Sequence, residues 1–215
     1  MANVMFEISM SLDGYVAGPD ATLEDPLGKR GEELHEWIIG LDAWRERHGL
    51  EGGERSVDSE VVEESLALTG AVVMGRKMYS GSEGPWEDDP NADGWWGDDP
   101  PFRVPVFVLT HHPREPETKK DTAITFVTDG IASAVAQARD SAGDKSVVVA
   151  GGGSVIQQSL GAGLVDECRL HVAPILLGGG VRLFDNVDAD RLAFEPISAV
   201  HSPAVSHLRY RVVRR

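Results

Sequence analysis

The sequence is poor in cysteine and in long apolar runs. Cys168 is the only cysteine among 215 residues, so the chain can form no internal disulfide, and a cytoplasmic location is the default expectation. No apolar run approaches the ~20 residues that cross a bilayer, and the start at Met1 lacks the basic and apolar regions of a signal peptide. We therefore expect no membrane partner, and we expect Cys168 to be an inert core residue of a strand.

Positive charge is also scarce, which argues against a nucleic-acid partner. The chain has 20 Lys and Arg residues against 35 Asp and Glu residues, and its formal net charge is -15. Non-specific binding to nucleic acid depends on a basic surface, so this class of function is disfavoured. An anionic small molecule would need a local positive site on an acidic protein.

Two common binding motifs are missing. No G-x-G-x-x-G follows the first predicted strand, so a dinucleotide would have to bind by another scheme. His35-Glu36 lacks the second histidine of the zinc motif H-E-x-x-H, and His111-His112 has no third ligand at a convincing spacing. We therefore expect no metal. The length predicts a single domain, 1–215, with room for a sizeable core.

The most informative stretch that is present runs from 147 to 184. A short apolar run, 147–150, predicts a strand buried on both faces, and Gly151-Gly152-Gly153 leads from it into a helix that begins at Ser154. Free N–H groups and the helix dipole make such a glycine turn a site for a phosphate. Glycine runs also occur in ordinary tight turns. The phosphate site is therefore inferred from the order of strand, glycines and helix, and not from the glycines alone. A second strand, 167–172, and a second glycine run, 178–180, follow.

The whole chain alternates strands and helices and ends in a hairpin. The predicted strands are 4–8, 70–74, 104–109, 124–128, 147–150 and 167–172, and the predicted helices are 31–49, 58–68, 131–141 and the one from Ser154. Residues 192–198 and 205–213 predict a closing antiparallel pair, in which His207 falls outside the apolar alternation. The fold class is therefore α/β, with a mostly parallel central sheet, helices on both faces and an antiparallel C-terminal hairpin.

Three groups suited to phosphate follow predicted strands: Gly75-Arg76-Lys77, Thr110-His111-His112 and the glycine turn at 151–154. Ligands of such sheets lie beyond the carboxyl ends of the strands, so the shared position of these groups favours a dinucleotide. Two adjacent cations that open a helix can grip a phosphate. Arg76 and Lys77 are equally well explained as surface charges, and the residues alone leave both interpretations open.

Two further segments have both a structural and a functional interpretation. Asp13-Gly14 is typical of a turn, which the sequence slightly favours, and Asp13 could otherwise be a carboxylate at the mouth of a cleft. Residues 81–101 form a long loop, a kind of segment that is often functional. Its tryptophans, Trp86 among them, could cover a flat ligand or simply pin the loop to the protein.

Five motifs occur in a recognisable order: 11–17 (SLDGYVA), 73–76 (VMGR), 108–110 (VLT), 150–154 (AGGGS) and 176–180 (LLGGG). As a set they resemble the dihydrofolate-reductase-like proteins, and most closely the C-terminal reductase domain of bacterial riboflavin biosynthesis, the RibD C-terminal-like group. The resemblance covers nearly the whole chain. It implies a dihydrofolate-reductase-like fold and NADPH as cofactor, and it leaves the substrate undefined.

The resemblance also implies roles for individual residues. Arg76 would hold the 2′-phosphate of NADPH, Thr110 and His111 would lie near the adenosine phosphate, and 151–154 would hold the pyrophosphate. Ala17 and Gly18 would border the nicotinamide. The full set of implied cofactor residues is Ala17, Gly18, Gly75, Arg76, Lys77, Leu109, Thr110, His111, Ala150, Gly151, Gly152, Gly153, Ser154, Val155 and Ile156.

The sequence departs from the riboflavin-pathway pattern at two substrate positions. Tyr15 stands where those reductases tend to carry Lys or Arg, and Gly151 stands where they tend to carry an acid. Folate reductases place a carboxylate on their first helix with an aromatic residue four positions on, a spacing that Glu33 and Trp37 reproduce. These departures make the ribosylaminopyrimidine substrate of the riboflavin pathway doubtful for this chain.

The resulting hypothesis is an NADPH-dependent reductase that transfers a hydride to a flat heterocycle, pteridine- or pyrimidine-like. Asp13, Glu33 and Glu36 are the candidates for handling the proton, and Tyr15, Trp37 and Trp86 are the candidates for contacting the substrate. The alternative is a non-catalytic module that binds NADPH or a pterin-like ligand. We also expect a homodimer, because the closing hairpin and the apolar segment 172–177 offer surfaces for symmetric pairing.

Overall fold

The computed structural model describes residues 2–215, which form two compact units. Unit 1 takes in the chain up to Phe6 together with Thr69–Val165, and unit 2 consists of Glu7–Leu68 and Asp166–Arg215. The prediction of a single domain over 1–215 stays a prediction.

The regular elements confirm the α/β class. The strands of the described chain are β1 (Val4–Ser11), β2 (Tyr15–Ala17), β3 (Thr69–Gly75), β4 (Val106–Leu109), β5 (Glu117–Lys119), β6 (Thr122–Val127), β7 (Ser146–Gly151), β8 (Glu167–Ala173), β9 (Val181–Arg182), β10 (Leu192–His201) and β11 (Ser206–Arg214). Its α-helices are α1 (Glu36–Ile39), α2 (Asp42–Arg47), α3 (Val57–Leu68), α4 (Arg76–Ser80), α5 (Ile131–Ser141) and α6 (Gly153–Gly161), and 3-10 turns lie at Gly31–His35, Trp86–Asp88 and Ala189–Arg191.

Unit 1 is built on a mostly parallel sheet with the strand order β1-β7-β3-β4-β6-β5. Strands β1, β7, β3, β4 and β6 pair in parallel, and the short strand β5 adds an antiparallel edge. The central strand β7 is covered on both faces, since Val147 and Val149 are fully buried and Val148 is nearly so. This burial explains why the segment reads as an unbroken apolar run rather than as an alternating one.

Unit 2 carries the antiparallel hairpin in a sheet of order β10-β11-β8-β1. Strand β11 pairs antiparallel with both β10 and β8. The short strands β2 and β9 form a separate two-stranded sheet. The predicted closing hairpin is therefore confirmed, whereas β2, β5 and β9, at two or three residues each, are too short to leave a periodic signal.

The predicted helix over 31–49 is wrong as a continuous element. It is divided into a 3-10 turn and the two short helices α1 and α2. The break falls at Gly40-Leu41, where Leu41 is extended at φ -77° and ψ 144° and forms a bridge with Glu54. Backbone bonds from Asp42 N to Glu54 O and from Glu54 N to Gly40 O, 3.0 and 2.9 Å long, fix this geometry. Leu34, Trp37 and Leu41 are nevertheless buried, as their spacing indicates.

Within residues 2–215, no helix combines the length and the apolar character that a membrane crossing requires.

Candidate functional site

The glycine turn of unit 1 has the geometry of an anion site. Strand β7 ends at Gly151, whose φ of 128° suits glycine, and Gly152 caps helix α6 without a side-chain hydrogen bond. Val155 N and Ile156 N both bond to Gly152 O, so the N–H groups of Gly153 and Ser154 are the ones at the start of α6 without an intrahelical partner. Space for a ligand is available, because a Cβ placed on Gly152 would meet nothing within 4 Å.

Gly75 brings the end of β3 close to this turn. A Cβ at Gly75 would stand 2.8 Å from Val155 Cγ2, closer than real Cβ atoms approach, and 3.8 and 3.9 Å from Gly151 O and Gly152 N. Gly75 is also in register with Leu109 at the end of β4. The ends of β3, β4 and β7 are therefore close together within unit 1, as predicted. Gly75 allows this close packing because it has no side chain.

Arg76 is buried, so it is not one of the surface charges that the sequence also allowed. It is 4% exposed, Nη2 lies 2.5 Å from Asp89 Oδ2, and its Cζ lies 3.4 Å from the centre of the Trp86 ring. The pair with Asp89 is a charge contact at hydrogen-bond distance, and Nε, Nη1 and Nη2 are buried with no other hydrogen-bond partner among residues 2–215. Such donors suit an anion in type, but Trp86 and Asp89 cover them in this structure. Lys77, by contrast, is exposed and lies 3.4 Å from Glu83.

Asp89 is held as a carboxylate by its surroundings. Its burial would raise the pKa, but hydrogen bonds from Ser80 Oγ, 2.7 Å long, and from Asn91 N, together with Arg76, lower it below the usual value. The loop at 81–101 thus folds back on helix α4 and neutralises Arg76. The sequence does not single out Asp89, because nothing in the pattern of the loop distinguishes it from the other aspartates there.

Trp86 pins this loop rather than standing free for a ligand. Its Nε1 donates to His112 O at 2.8 Å, and its ring packs edge-to-face against Phe126 at 4.9 Å. Arg114 lies 5.0 Å from the ring centre, in addition to Arg76. Of the two roles considered for this tryptophan, the contacts favour pinning the loop, and they leave little of the ring for a substrate.

The third strand end, at Thr110-His111, is partly used by the backbone. The Thr110 hydroxyl accepts a bond from His112 N at 3.1 Å, and Thr110 is 5% exposed. His111 is exposed. His111 is therefore the accessible member of this group, and Thr110 shapes the turn that presents it.

In unit 2, Asp13 acts as a backbone clamp. Its Oδ1 accepts bonds from Ser11 Oγ and Leu177 N at 2.6 and 3.1 Å, and its Oδ2 accepts one from Gly178 N at 2.7 Å. The bond from Ser11, with those from the backbone, lowers the pKa of Asp13 to about 2. The Asp13-Gly14 turn is present, with Gly14 at φ 88°. An ionised clamp of this kind is poorly suited to donate a proton near neutrality.

Glu33, the second carboxylate predicted to handle a proton, is also unsuited to store one. Glu33 forms a bidentate pair with Arg30 through bonds of 2.7 and 2.8 Å, which lowers the pKa of Glu33. Arg30 also donates to Leu176 O at 2.8 Å. Glu36 is exposed. Trp37 is 7% exposed and donates from Nε1 to Ser9 Oγ at 3.0 Å, so it is a core residue rather than an open platform for a substrate.

The remaining predicted residues of unit 2 lie at close backbone contacts. A Cβ on Gly18 would stand 2.1 Å from Lys29 O, and one on Gly180 would stand 2.1 Å from Ala17 O. These glycines are therefore explained by packing of the chain against itself. Tyr15 pairs across the strands with Arg182, whose Cζ lies 5.1 Å from the Tyr15 ring centre.

A buried cluster of ionisable side chains in unit 2 was missed altogether. Glu7, His171, His207 and Asp58 form a continuous chain of contacts, with His171 and His207 in register on strands β8 and β11. A signal existed, because His207 stands out from the apolar alternation of its strand, yet it is 3% exposed. Among residues 2–215 no group of ligating side chains could hold a metal ion, so the cluster is not a metal centre.

The parallel sheet, the glycine turn at β7 and the hairpin are those of the dihydrofolate-reductase-like fold. Residues 2–206 match the model of the RibD C-terminal domain, and the chain belongs to that family. The family takes its name from the C-terminal domain of RibD, a riboflavin-biosynthesis protein.

Individual relatives agree with this assignment. A putative riboflavin biosynthesis protein from Shewanella sp. PV-4 is 25% identical, with a TM-score of 0.64 over 100% of this chain and 99% of that chain. The deaminase/reductase named diaminohydroxyphosphoribosylaminopyrimidine deaminase/5-amino-6-(5-phosphoribosylamino)uracil reductase from Thermotoga maritima shares the fold, with 16% identity and a TM-score of 0.55. That match covers 98% of this chain and 56% of that one. The uncharacterized protein YyaP of Bacillus subtilis (strain 168) is 26% identical over 151 residues, which is 64% of this chain and 74% of YyaP.

Proposed function

We propose that the protein is an NADPH-dependent reductase that transfers a hydride to a flat, pyrimidine- or pteridine-like heterocycle. The observation that carries the proposal is the open glycine turn at 151–154, beside which Gly75 packs, in a member of the RibD C-terminal domain family. A helix N-terminus with exposed N–H groups is suited to the pyrophosphate of a dinucleotide. The likeness to the Shewanella protein supports the same type of chemistry.

The residues of unit 1 fit the phosphates of NADPH. The turn at 151–154 would hold the pyrophosphate, and Arg76 would meet the 2′-phosphate by moving out from under Trp86 and exchanging Asp89 for the phosphate. Lys77 and His111 would add exposed donors at the same strand ends. When bound, NADPH would supply the hydride from C4 of its nicotinamide ring.

Tyr15 and Arg182 are the candidates for contacts with the substrate. Tyr15 offers a flat ring, and Arg182 beside it supplies positive charge, a combination suited to a planar ring that carries an acidic group. The named activity of the Thermotoga relative makes a pyrimidine a natural first candidate. The substrate positions that differ, Tyr15 and Gly151, favour a compound other than the riboflavin-pathway intermediate.

The test combines a substrate panel with a charge placed at the glycine turn. Ser154 is exposed in the first turn of α6, so Ser154→Asp should fold and should repel phosphate, whereas Ser154→Asn is the matched neutral control. We expect NADPH consumption with at least one pyrimidine, pteridine, quinone or flavin, followed by absorbance. We expect NADPH affinity to fall at least tenfold for the Asp variant alone. If the two variants bind NADPH with equal affinity, the turn at 151–154 is not part of the cofactor site.

One observation favours the alternative, a binding module without catalysis. The structure lowers the pKa values of Asp13 and Glu33, so neither is adapted to donate a proton. Tight NADPH binding with no turnover across the whole panel would support this alternative over the reductase. If the protein neither turns over a substrate nor binds NADPH, both the reductase and the binding module are contradicted.

We further propose that the chain forms a homodimer through the edge of unit 2. Strand β10 is the outer strand of that sheet, and most of its residues are exposed, with Phe194 at 37% and Ile197 at 42%. An exposed edge strand with apolar side chains readily pairs with a second strand. A second copy of the same strand would pair with the backbone groups of β10 on either side of Pro196, where a register shift interrupts the strand, and would cover Phe194 and Ile197.

A further inference from the structure

Unit 2 contains a buried line of four ionisable side chains that the proposed function does not use. Glu7 Oε1 lies 2.9 Å from His171 Nε2, His171 Nδ1 lies 2.6 Å from His207 Nδ1, and His207 Nε2 lies 2.9 Å from Asp58 Oδ1. The exposed side-chain fractions of Glu7, His171, His207 and Asp58 are 15%, 6%, 3% and 6%. The line is thus largely shielded from water.

Four elements meet at this line. Glu7 comes from β1, His171 from β8, His207 from β11 and Asp58 from helix α3. The indole of Trp37 covers the centre, with its ring 4.7 Å from His171 and 5.0 Å from His207. Every contact in the line therefore links two different elements of the unit.

The line needs three protons. Each of its three contacts joins two nitrogen or oxygen atoms at hydrogen-bond distance, and each requires one proton between them. Two neutral imidazoles provide only two protons, because each carries one N–H. The third must be held either by a second N–H on one imidazole, which makes it an imidazolium, or by a protonated carboxyl group.

The surrounding charges indicate where the third proton lies. The charged and titratable groups that face the line are Arg169 of β8, Glu64 of α3 and His35 of the 3-10 turn, and the Ser65 hydroxyl of α3 donates to Glu7. Arg169 Nη1 lies 3.8 Å from Glu7 Oε1, so it favours an ionised Glu7. Glu64, whose Oε2 is 2.8 Å from Arg169 Nη2, balances that cation.

The pKa directions agree with this charge pattern. Burial would raise the pKa of Glu7, but its bonds and charge contacts with His171, Arg169 and Ser65 lower it overall. Burial, with the neighbouring charge of His171, lowers the pKa of His207 despite its bond to Asp58. Glu7 is therefore the ionised end, and His207 is the neutral imidazole.

We propose that Glu7, His171, His207 and Asp58 form a proton-sharing site that keeps three protons at about pH 7, with His171 as the imidazolium. His171 donates from Nε2 to the Glu7 carboxylate and from Nδ1 to neutral His207, which donates from Nε2 to Asp58. The bound proton ties β1, β8, β11 and α3 together. This inference does not depend on the proposed enzymatic function.

The proposal distinguishes two isosteric substitutions. In Glu7→Gln, the side-chain amide can itself donate to His171 Nε2, so the imidazolium is no longer needed and His171 becomes neutral. In Asp58→Asn, the amide oxygen still accepts from His207 Nε2, so His171 keeps its second proton. Each substitution removes one carboxylate charge, and the two carboxylates lie at opposite ends of the line.

The experiment is nitrogen NMR of the histidine side chains in the full chain at about pH 7. An imidazolium gives two ring-nitrogen signals close together, whereas a neutral ring gives two that are far apart. We expect His171 to show the imidazolium pattern in the native chain and in Asp58→Asn, and to lose it in Glu7→Gln. His201→Gln, which removes an exposed histidine, assigns one signal without touching the line.

Two results would overturn the proposal. A neutral His171 in the native chain, with a carbon signal that marks Glu7 as protonated, would place the proton on the carboxyl group. An imidazolium at His207 instead would reverse the order along the line.

Discussion

Arg76 illustrates how tertiary contacts give a residue a structural role in addition to the one that its motif predicts. Its position at a strand end predicts that it faces solvent or a phosphate, and in the structure it also lies under Trp86 against Asp89. Removing one partner of a buried ion pair costs about 3–5 kcal/mol, because the other charge is left unpaired. A plain alanine variant would therefore mix a folding effect with a binding effect.

We accordingly predict the behaviour of a pair of variants. Arg76→Ala should lower stability by about 3–5 kcal/mol, and adding Asp89→Asn should restore most of that loss. Both should bind NADPH roughly ten- to a hundredfold more weakly, since a hydrogen bond to a charged group is worth about 1.5–3 kcal/mol, while NADH binding should barely change. Denaturant titration and fluorescence titration measure the two effects. If NADH affinity falls equally in the double variant, Arg76 does not recognise the 2′-phosphate.

Asp13 is the second residue whose role changes, from a candidate acid to a clamp. Because its pKa is lowered to about 2 from an ordinary value of ~3.9, its stabilising effect should be complete above about pH 4 and should be lost as the pH falls toward 2. In Asp13→Asn, one acceptor becomes a donor that faces an N–H group. We predict faster amide hydrogen exchange at Leu177 and Gly178, with the exposed Asp20→Asn as control. Unchanged exchange would mean that the clamp does not hold this segment.

At the level of elements, the end of β3 packs closely against the start of α6 because Gly75 has no side chain. A methyl group on Gly75 would collide with Val155 Cγ2 at 2.8 Å, and valine is too stiff to turn away freely. We predict that Gly75→Ala lowers stability by about 1–3 kcal/mol, as overpacking generally does, and also weakens NADPH. Adding Val155→Ala should relieve the clash, and thermal denaturation with NADPH titration would show this recovery. A fully stable single variant would contradict the packing explanation.

For the whole molecule, the homodimer predicts a concentration-dependent mass. Light scattering at micromolar concentration should give about twice the 23.2 kDa of one chain. Ile197→Lys, which places a charge at the exposed edge strand β10, should shift the mass to that of a monomer, because edge charges oppose strand pairing. The matched control is Leu50→Lys, at another exposed apolar residue. A native chain that stays monomeric would end this proposal.

The sequence by itself determined the class of fold and most of its elements. The helix at Ile131–Ser141 and the hairpin of β10 and β11 follow from patterns that repeat within a few residues. The glycine turn at 151–154 could be predicted for the same reason, since strand, turn and helix are consecutive in the sequence. Local sterics and local burial are sufficient to specify such elements.

Only the tertiary structure decided what the charged residues do. Asp89 reaches Arg76 from an irregular loop with no periodic pattern, and the partners in the buried line are brought together from distant positions, Glu7 with His171 and Asp58 with His207. The pairing of such groups depends on which elements meet in three dimensions. The local periodicity of a sequence predicts whether a side chain is buried, but it does not predict which charged residue will lie next to it.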